Sequence, residues 1–279
     1  MTDSTSTDAD SASAGNAGDY RTSALGKDRP GERRRLGAIQ SSVDEFSTDI
    51  FDGLGPRVDW DCLDLGAGAG SIAAWLAERC PAGRTVAVDI DTRYLDPAES
   101  AFEVAEADIT DPGFAPGRFD LVHARFVLCH LPDRDAVLAR AATWLKPGGW
   151  LVVTDPYQLP ADTSPFPVMT RIMDAYRKVY AGHGADLTWS RRLPTLLAGA
   201  GLSSIEFTGK LACMGNLARD RWRPLIDQVA TGLIATGEVT QTDLDEFHTL
   251  LADPTFIDIP QFTLAAWGRR EDAADTPDQ

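Results

Sequence analysis

The stretch Asp64-Leu65-Gly66-Ala67-Gly68-Ala69-Gly70 restricts this chain more than any other part of its sequence. The apolar run before it, Trp60 to Leu65, reads as a short strand. The run after it, Ser71 to Cys80, places Ile72, Ala73, Trp75 and Leu76 at helical spacing. A strand, a glycine turn and a helix form the unit in which a nucleotide-like ligand meets the start of a helix. Glycine has no Cβ, so it adopts positive φ at no steric cost and lets a ligand approach the backbone. The helix start near Ser71 adds unpaired N–H groups and a partial positive charge. A further apolar run ends in an acid, Asp89. Together these features predict an α/β fold with a cofactor site at its strand ends.

Two registers of the turn compete. Gly68-x-Gly70-x-x-Ala73 with Asp89 fits a relaxed dinucleotide fingerprint, as an NAD-dependent reductase would carry. That register buries Asp64 inside a strand covered on both faces, and an unpaired buried carboxylate is costly. Starting the turn at Gly66 leaves Asp64 at the strand end, facing the ligand. The acid-x-Gly-x-Gly-x-Gly register is therefore preferred.

Other segments follow in order. These are the apolar run Val86-Ala87-Val88 with Asp89-Ile90, the acidic segment Glu106-Ala107-Asp108-Ile109, the run Phe119 to Arg125, the segment Leu128-Cys129-His130-Leu131-Pro132-Asp133 after it, and the turn Leu145-Lys146-Pro147-Gly148-Gly149-Trp150 into Leu151-Val152-Val153. On these motifs, over roughly residues 34 to 268, the chain resembles the class I S-adenosylmethionine-dependent methyltransferases. The resemblance implies a Rossmann-like seven-stranded methyltransferase sheet with flanking helices. It also implies S-adenosyl-L-methionine as cofactor. Asp64, Gly66, Ala67, Gly68 and Gly70 correspond to the glycine motif of that family. Asp89, with Ile90, corresponds to the acid that accepts from both ribose hydroxyls. Asp108, with Ile109, corresponds to the acid that reaches the adenine amino group. His123, Ala124 and Arg125 fall at the end of its fourth strand, beside the cofactor.

The chain has 279 residues, 43% hydrophobic, and a net charge of −16. That length and the continuous strand–helix alternation predict one large domain with a sizeable core. About half of the acidic excess lies in the two ends, in Asp3, Asp8, Asp10 and Asp19 and in Glu271, Asp272, Asp275 and Asp278. The rest remains acidic, which disfavours nucleic acid as a partner. Arg33-Arg34-Arg35, with Glu32 beside it, reads as the solvated face of a helix. The four cysteines show no paired spacing, and neither a zinc pattern nor a disulfide framework emerges. No signal peptide and no bilayer-spanning apolar run is seen. The expectation is a cytoplasmic enzyme with no membrane partner, a monomer or a homodimer.

Residues 1–19 and 271–279 read as disordered tails. Residues 20–56 read as N-terminal lid helices, with Leu36, Ile39, Val43, Phe46, Ile50 and Phe51 on one stripe. Residues 57–270 form the predicted catalytic domain. A helical insertion near 156–190 and a second helical segment near 217–252 provide a helical substrate cover. Methyl transfer is an in-line displacement, so alignment and exclusion of water matter most. A base assists a phenol, hydroxyl or acidic carbon. His130 and Asp155 are the catalytic candidates, and Tyr20, Tyr157, Tyr176, His183 and Trp189 the expected acceptor wall. The stripe Met169, Ile172, Met173, Tyr176, Val179 and Tyr180 fits either a cover or a packing helix. No acidic triad suggests a metal.

The expected function is methylation of a small molecule at O, N or C, in secondary-metabolite biosynthesis. The alternatives are a cyclisation or rearrangement that uses the cofactor without transferring its methyl, and a non-catalytic binding protein. Fold alone does not separate them.

Overall fold

The computed structural model describes residues 31–98, 101–215 and 221–271. Nearly all of the two expected tails, and Tyr20, lie outside the described residues.

A single sheet carries the molecule, and its strands are ordered β3-β2-β1-β4-β5-β7-β6. The first five are β1 (Cys62–Leu65), β2 (Thr85–Asp89), β3 (Glu103–Glu106), β4 (Phe119–Arg125) and β5 (Leu145–Gln158). They run parallel, and then β7 (Ile257–Arg269) pairs antiparallel with β5 and with β6 (Ser203–Gly215). β1 and β2 are buried at every position, as strands covered on both faces must be. The chain order reverses between β1 and β4, and in such sheets ligands bind outside the strand ends at that point. This is the seven-stranded architecture expected from the motifs.

β5 continues further than the sequence pattern implied. A helical insertion was expected from about residue 156, directly after the catalytic candidate Asp155. Instead Asp155 pairs in register with Leu264, and the ladder runs on to Gln158 opposite Gln261. Pro156 fits because a long antiparallel partner replaces the helix that would otherwise follow.

α1 (Glu32–Leu54) precedes the sheet and ends at Gly55, which takes the left-handed conformation (φ 67°) that suits a helix end. α2 (Ser71–Arg79), α3 (Arg134–Thr143) and α5 (Leu193–Gly199) flank the parallel strands. α4 (Pro167–Ala181), α6 (Trp222–Ala235) and α7 (Gln241–Ala252) form a separate helical layer with its own core. In α4, Val168, Met169, Ile172, Met173 and Ala175 pack into that core, so most of its apolar stripe is structural. Arg171 ties α4 to α7 through Asp243, at 2.6 and 2.9 Å. Asp243 also closes a capping box with Thr240 at the start of α7. These hydrogen bonds, with Thr240 first, hold the Asp243 carboxyl down to about 2.

Cys62 and Cys80, distant in sequence, lie with their thiols 3.9 Å apart in the core, unbonded. No helix among the described residues is long and apolar enough to cross a membrane.

Candidate active site

The ends of β1, β2 and β4 open into a cavity with about 1020 Å³ of empty space, its mouth included. The glycine turn forms one wall. Gly66, Gly68 and Gly70 all have positive φ (65°, 62° and 80°), a region that L side chains rarely adopt. A Cβ on Gly66 would lie 2.2 Å from a Val127 methyl carbon, and one on Gly70 would lie 2.9 Å from Leu95 and Phe102. Alternation of glycine is thus a steric need of the backbone path, and it follows the register that begins at Gly66.

Asp89 stands at the end of β2. Its carboxylate accepts the Gly68 N–H at 2.8 Å and the Asp91 N–H at 3.0 Å. It therefore orients the glycine turn while facing the cavity. Asp108 also faces the cavity, but one oxygen is held by the Thr110 backbone N–H (2.8 Å) and hydroxyl (2.6 Å). That is the arrangement of a turn-forming aspartate. Ile90 and Ile109 line the cavity beside these acids, whereas Gly70 caps α2 and Ala124 is buried in the sheet, and neither lines it.

Asp64 and His123 are direct neighbours in the parallel pairing of β1 and β4. Their side chains meet at 2.7 Å, and both are buried. The Phe51 ring of α1 stands edge-on to the imidazole at 5.0 Å and shields the pair. Asp64 thus has the partner that the dinucleotide register seemed to deny it.

α1 roofs the cavity. Leu36 lies over Gly68. Asp44 accepts from Arg125 at 2.7 Å and from the Ser71 hydroxyl at 3.1 Å, and Ser47 accepts from Arg125 at 3.2 Å. Arg125 therefore borders the cavity and also clamps α1 onto the strand ends. The basic triplet was expected to be solvated, but only Arg33 and Arg34 are exposed. Arg35 turns inward because helical periodicity puts it on the face of Leu36 and Ile39. There it forms a two-pronged pair with buried Glu32 (2.6 and 2.8 Å), and Gln228 of α6 donates to the same carboxylate at 2.8 Å.

A second, smaller chamber adjoins the first. Both are lined by Arg35, Ile39, Phe126 and His130. The chamber continues along Pro156, Tyr176, Tyr180, Leu187, Arg221, Trp222, Leu225 and Gln261. Phe126 has a positive φ of 54°, uncommon for a bulky residue, at the junction of the two spaces. His130 packs 5.7 Å from the Tyr180 ring, and its Nδ1 has no partner. Burial, aided by the positive charges of Arg35 and Arg134, pushes His130 down to about 3. It is a neutral imidazole at physiological pH. Burial raises both tyrosines, whose rings pack 4.4 Å apart.

The other sequence candidates lie elsewhere. Asp155 lines neither cavity: it is fully buried beneath the loop after β4 and accepts the Cys129 N–H at 3.0 Å. Burial raises it to about 7. Tyr157 lines neither space, and His183 is exposed on the loop after α4. Trp189 sits in the core beneath α3 and α5, its indole N–H donating to Asp135 at 2.6 Å. Of the aromatic wall, Tyr176 alone among these lines the chamber. Arg35, Phe126, Arg221 and Trp222 were not anticipated. The turn of α1 that faces Leu36 signalled Arg35, but no local pattern marked Arg221.

Residues 63–153 match the family described as a methyltransferase domain. The chain is 40% identical over 94 residues to methyltransferase str3 of Strobilurus tenacellus, covering 33% of this chain and 34% of that one. It is 35% identical over 123 residues to the nocamycin O-methyltransferase of Saccharothrix syringae, covering 40% and 43%. These alignments span less than half of each relative. Among solved structures, phosphoethanolamine N-methyltransferase 2 of Haemonchus contortus, in complex with phosphomonomethylethanolamine and S-adenosylhomocysteine, shares the fold. Its TM-score is 0.51 at 17% identity, over 91% of this chain and 56% of that one. In its motifs, its sheet order and this match over residues 63–153, the chain is similar to the class I S-adenosylmethionine-dependent methyltransferases.

Proposed function

We propose that this protein transfers a methyl group from S-adenosylmethionine to a small organic acceptor of the secondary-metabolite kind. The observation that carries the reading is the cavity at the β1/β4 reversal, walled by a glycine turn whose three glycines all have positive φ. The residues present fit the cofactor. Asp64, Asp89 and Asp108 line the cavity and favour a cation there, while Glu32 is matched by Arg35. Asp89 would hold the ribose hydroxyls, and the backbone around Gly66 to Gly68 would approach the methionine end. The named relatives, one of them an O-methyltransferase, support a small acceptor.

When bound, the cofactor supplies a methyl group already activated on a sulfonium. The chain's own residues then position and shield the acceptor. Leu36 and Ile39 on the α1 roof exclude water. Phe126 and His130 sit where the two chambers join. The neutral His130 has an open Nδ1 that can accept a hydrogen bond from an acceptor hydroxyl or amine. With its affinity for protons so low, we assign it alignment ahead of proton storage. Asp155 supports the loop that carries His130, as a positioning residue.

The test is calorimetric titration of S-adenosylmethionine and S-adenosylhomocysteine into the wild type and into Asp89→Ala. The wild type should bind both. The variant loses a charged acceptor for two hydroxyls and an anchor of the turn, so its affinity should fall by about 100-fold or more. Equal binding by the variant would sink the reading.

A further inference from the structure

Arg221 is a buried cation with no anion beside it among the described residues. It immediately precedes α6 and is 6% exposed. Its Nε lacks a hydrogen-bond partner, and among the described residues no carboxylate lies within ion-pair distance of it. Burial lowers it only to about 10, so it stays charged. Its guanidinium lies 5.1 Å from the centre of the Trp222 ring, and the Trp222 indole N–H is anchored to the Cys213 carbonyl at 3.0 Å. The cation is thus held in place beside the second chamber, and a neighbouring cleft that Lys210 also lines reaches it from the other side.

Arg35, the other arginine of the chamber, provides the contrast. It is equally buried, but Glu32 neutralises it with two hydrogen bonds. His130 is neutral. Among the described residues, the chamber's walls therefore carry one uncompensated positive charge, amid apolar and aromatic side chains. Folding an unpaired cation into such a place is costly, and the cost is recovered when an anion joins it. We propose that the second chamber takes an acceptor bearing a carboxylate, which Arg221 binds. This inference rests on the methyltransferase reading and deepens it by naming the acceptor class.

One uncompensated charge and the planar two-pronged fork of arginine match a carboxylate monoanion. A phosphate dianion would bring a second negative charge that the walls leave unmatched. The acceptor's apolar body would lie along Tyr176, Leu187, Trp222 and Leu225. That places the remainder of the molecule toward Phe126 and His130, where the chambers meet. The carboxylate is the handle; the site that receives the methyl lies elsewhere on the acceptor.

The experiment uses matched probes: benzoate, cinnamate and salicylate, each against its own amide. Each is titrated into protein saturated with S-adenosylhomocysteine, for the wild type, Arg221→Met and Arg221→Lys. The carboxylates should bind the wild type at least 10-fold more tightly than their amides. Arg221→Met should erase that difference, and Arg221→Lys should keep part of it. Equal affinity for acids and amides, undiminished acid binding by Arg221→Met, or no binding of any acid would overturn the proposal. Arg221→Met without ligand should melt at or above the wild-type temperature, since an uncompensated charge has been removed. A drop of several degrees would assign Arg221 a structural role and overturn the proposal too. S-adenosylhomocysteine should bind Arg221→Met as it binds the wild type. Failure of the wild type to bind it would instead strike the cofactor reading.

Discussion

The two adjoining cavities are built in different ways. The first cavity has a floor of glycine turn and the ends of three parallel strands, contributed by short contiguous segments, under a roof of α1 side chains. The second chamber is lined by side chains from α1, the loop after β4, β5, α4 and the loop after it, the start of α6 and β7. The first kind of site tolerates little change in main-chain path. The second can be rebuilt one side chain at a time while the sheet below it stays intact. A fold of this kind can therefore keep one cofactor and vary its acceptor.

Gly66→Ala should expose this contrast most strongly. The new Cβ meets Val127 at 2.2 Å and the residue must hold φ 65°. Strain and overpacking together should cost about 3 kcal/mol. A chain of this size should then melt about 6–12 °C lower, with cofactor binding lost, in a thermal scan with S-adenosylhomocysteine present and absent. Unchanged melting and binding would remove the claim that the backbone path defines the cofactor half. The roughly 100-fold loss expected of Asp89→Ala and the 10-fold loss of acid binding expected of Arg221→Met come next.

Asp155→Asn tests the support beneath both cavities through its pH dependence. Burial raises the Asp155 carboxyl from 3.8 to about 7 in the folded protein. Between those values the unfolded chain has released a proton that the folded chain retains. Stability due to this group therefore falls as pH rises from 3.8, and the penalty is complete above about 7. His130 has the opposite sign: its folded value, about 3, lies below 6.5, so its contribution is lost as pH falls through that window. Asn keeps an oxygen for the Cys129 N–H and carries no charge. The melting temperature of Asp155→Asn relative to the wild type should rise between pH 5 and pH 8, by an amount on the order of a few kcal/mol in stability at most. A constant difference across that range would show that Asp155 does not titrate there. The smallest effect is expected at His183→Ala, an exposed loop residue, which should leave melting and cofactor binding within error; a clear loss of acid-probe binding would bring that loop into the acceptor chamber.

The cofactor half was legible because its parts are local. An acid, three alternating glycines and a following helical pattern occupy one short segment, and backbone geometry demands those residue types at that spacing. Asp89 was legible for the same reason, ending an apolar run; Asp108 faces the cavity too, but from the turn after β3. The helical insertion was placed from about residue 156, whereas an antiparallel neighbour extends β5 past Asp155 to Gln158. Trp189 and His183 misled because aromatic or polar type says nothing about which side of the sheet a residue faces. The Arg33-Arg34-Arg35 triplet was misread as uniformly solvated, though the helical period turns its last member inward.

The sequence by itself therefore determined the α/β class, the register of the glycine turn and the acids around it. Those features arise from steric and periodic rules that act over a few residues. Only the tertiary structure decided that Asp64 is paired with His123, that Glu32 cancels Arg35, and that Arg221 meets no anion among the described residues. Each depends on which distant segments the fold brings together, and electrostatic compensation across space leaves no pattern along the chain.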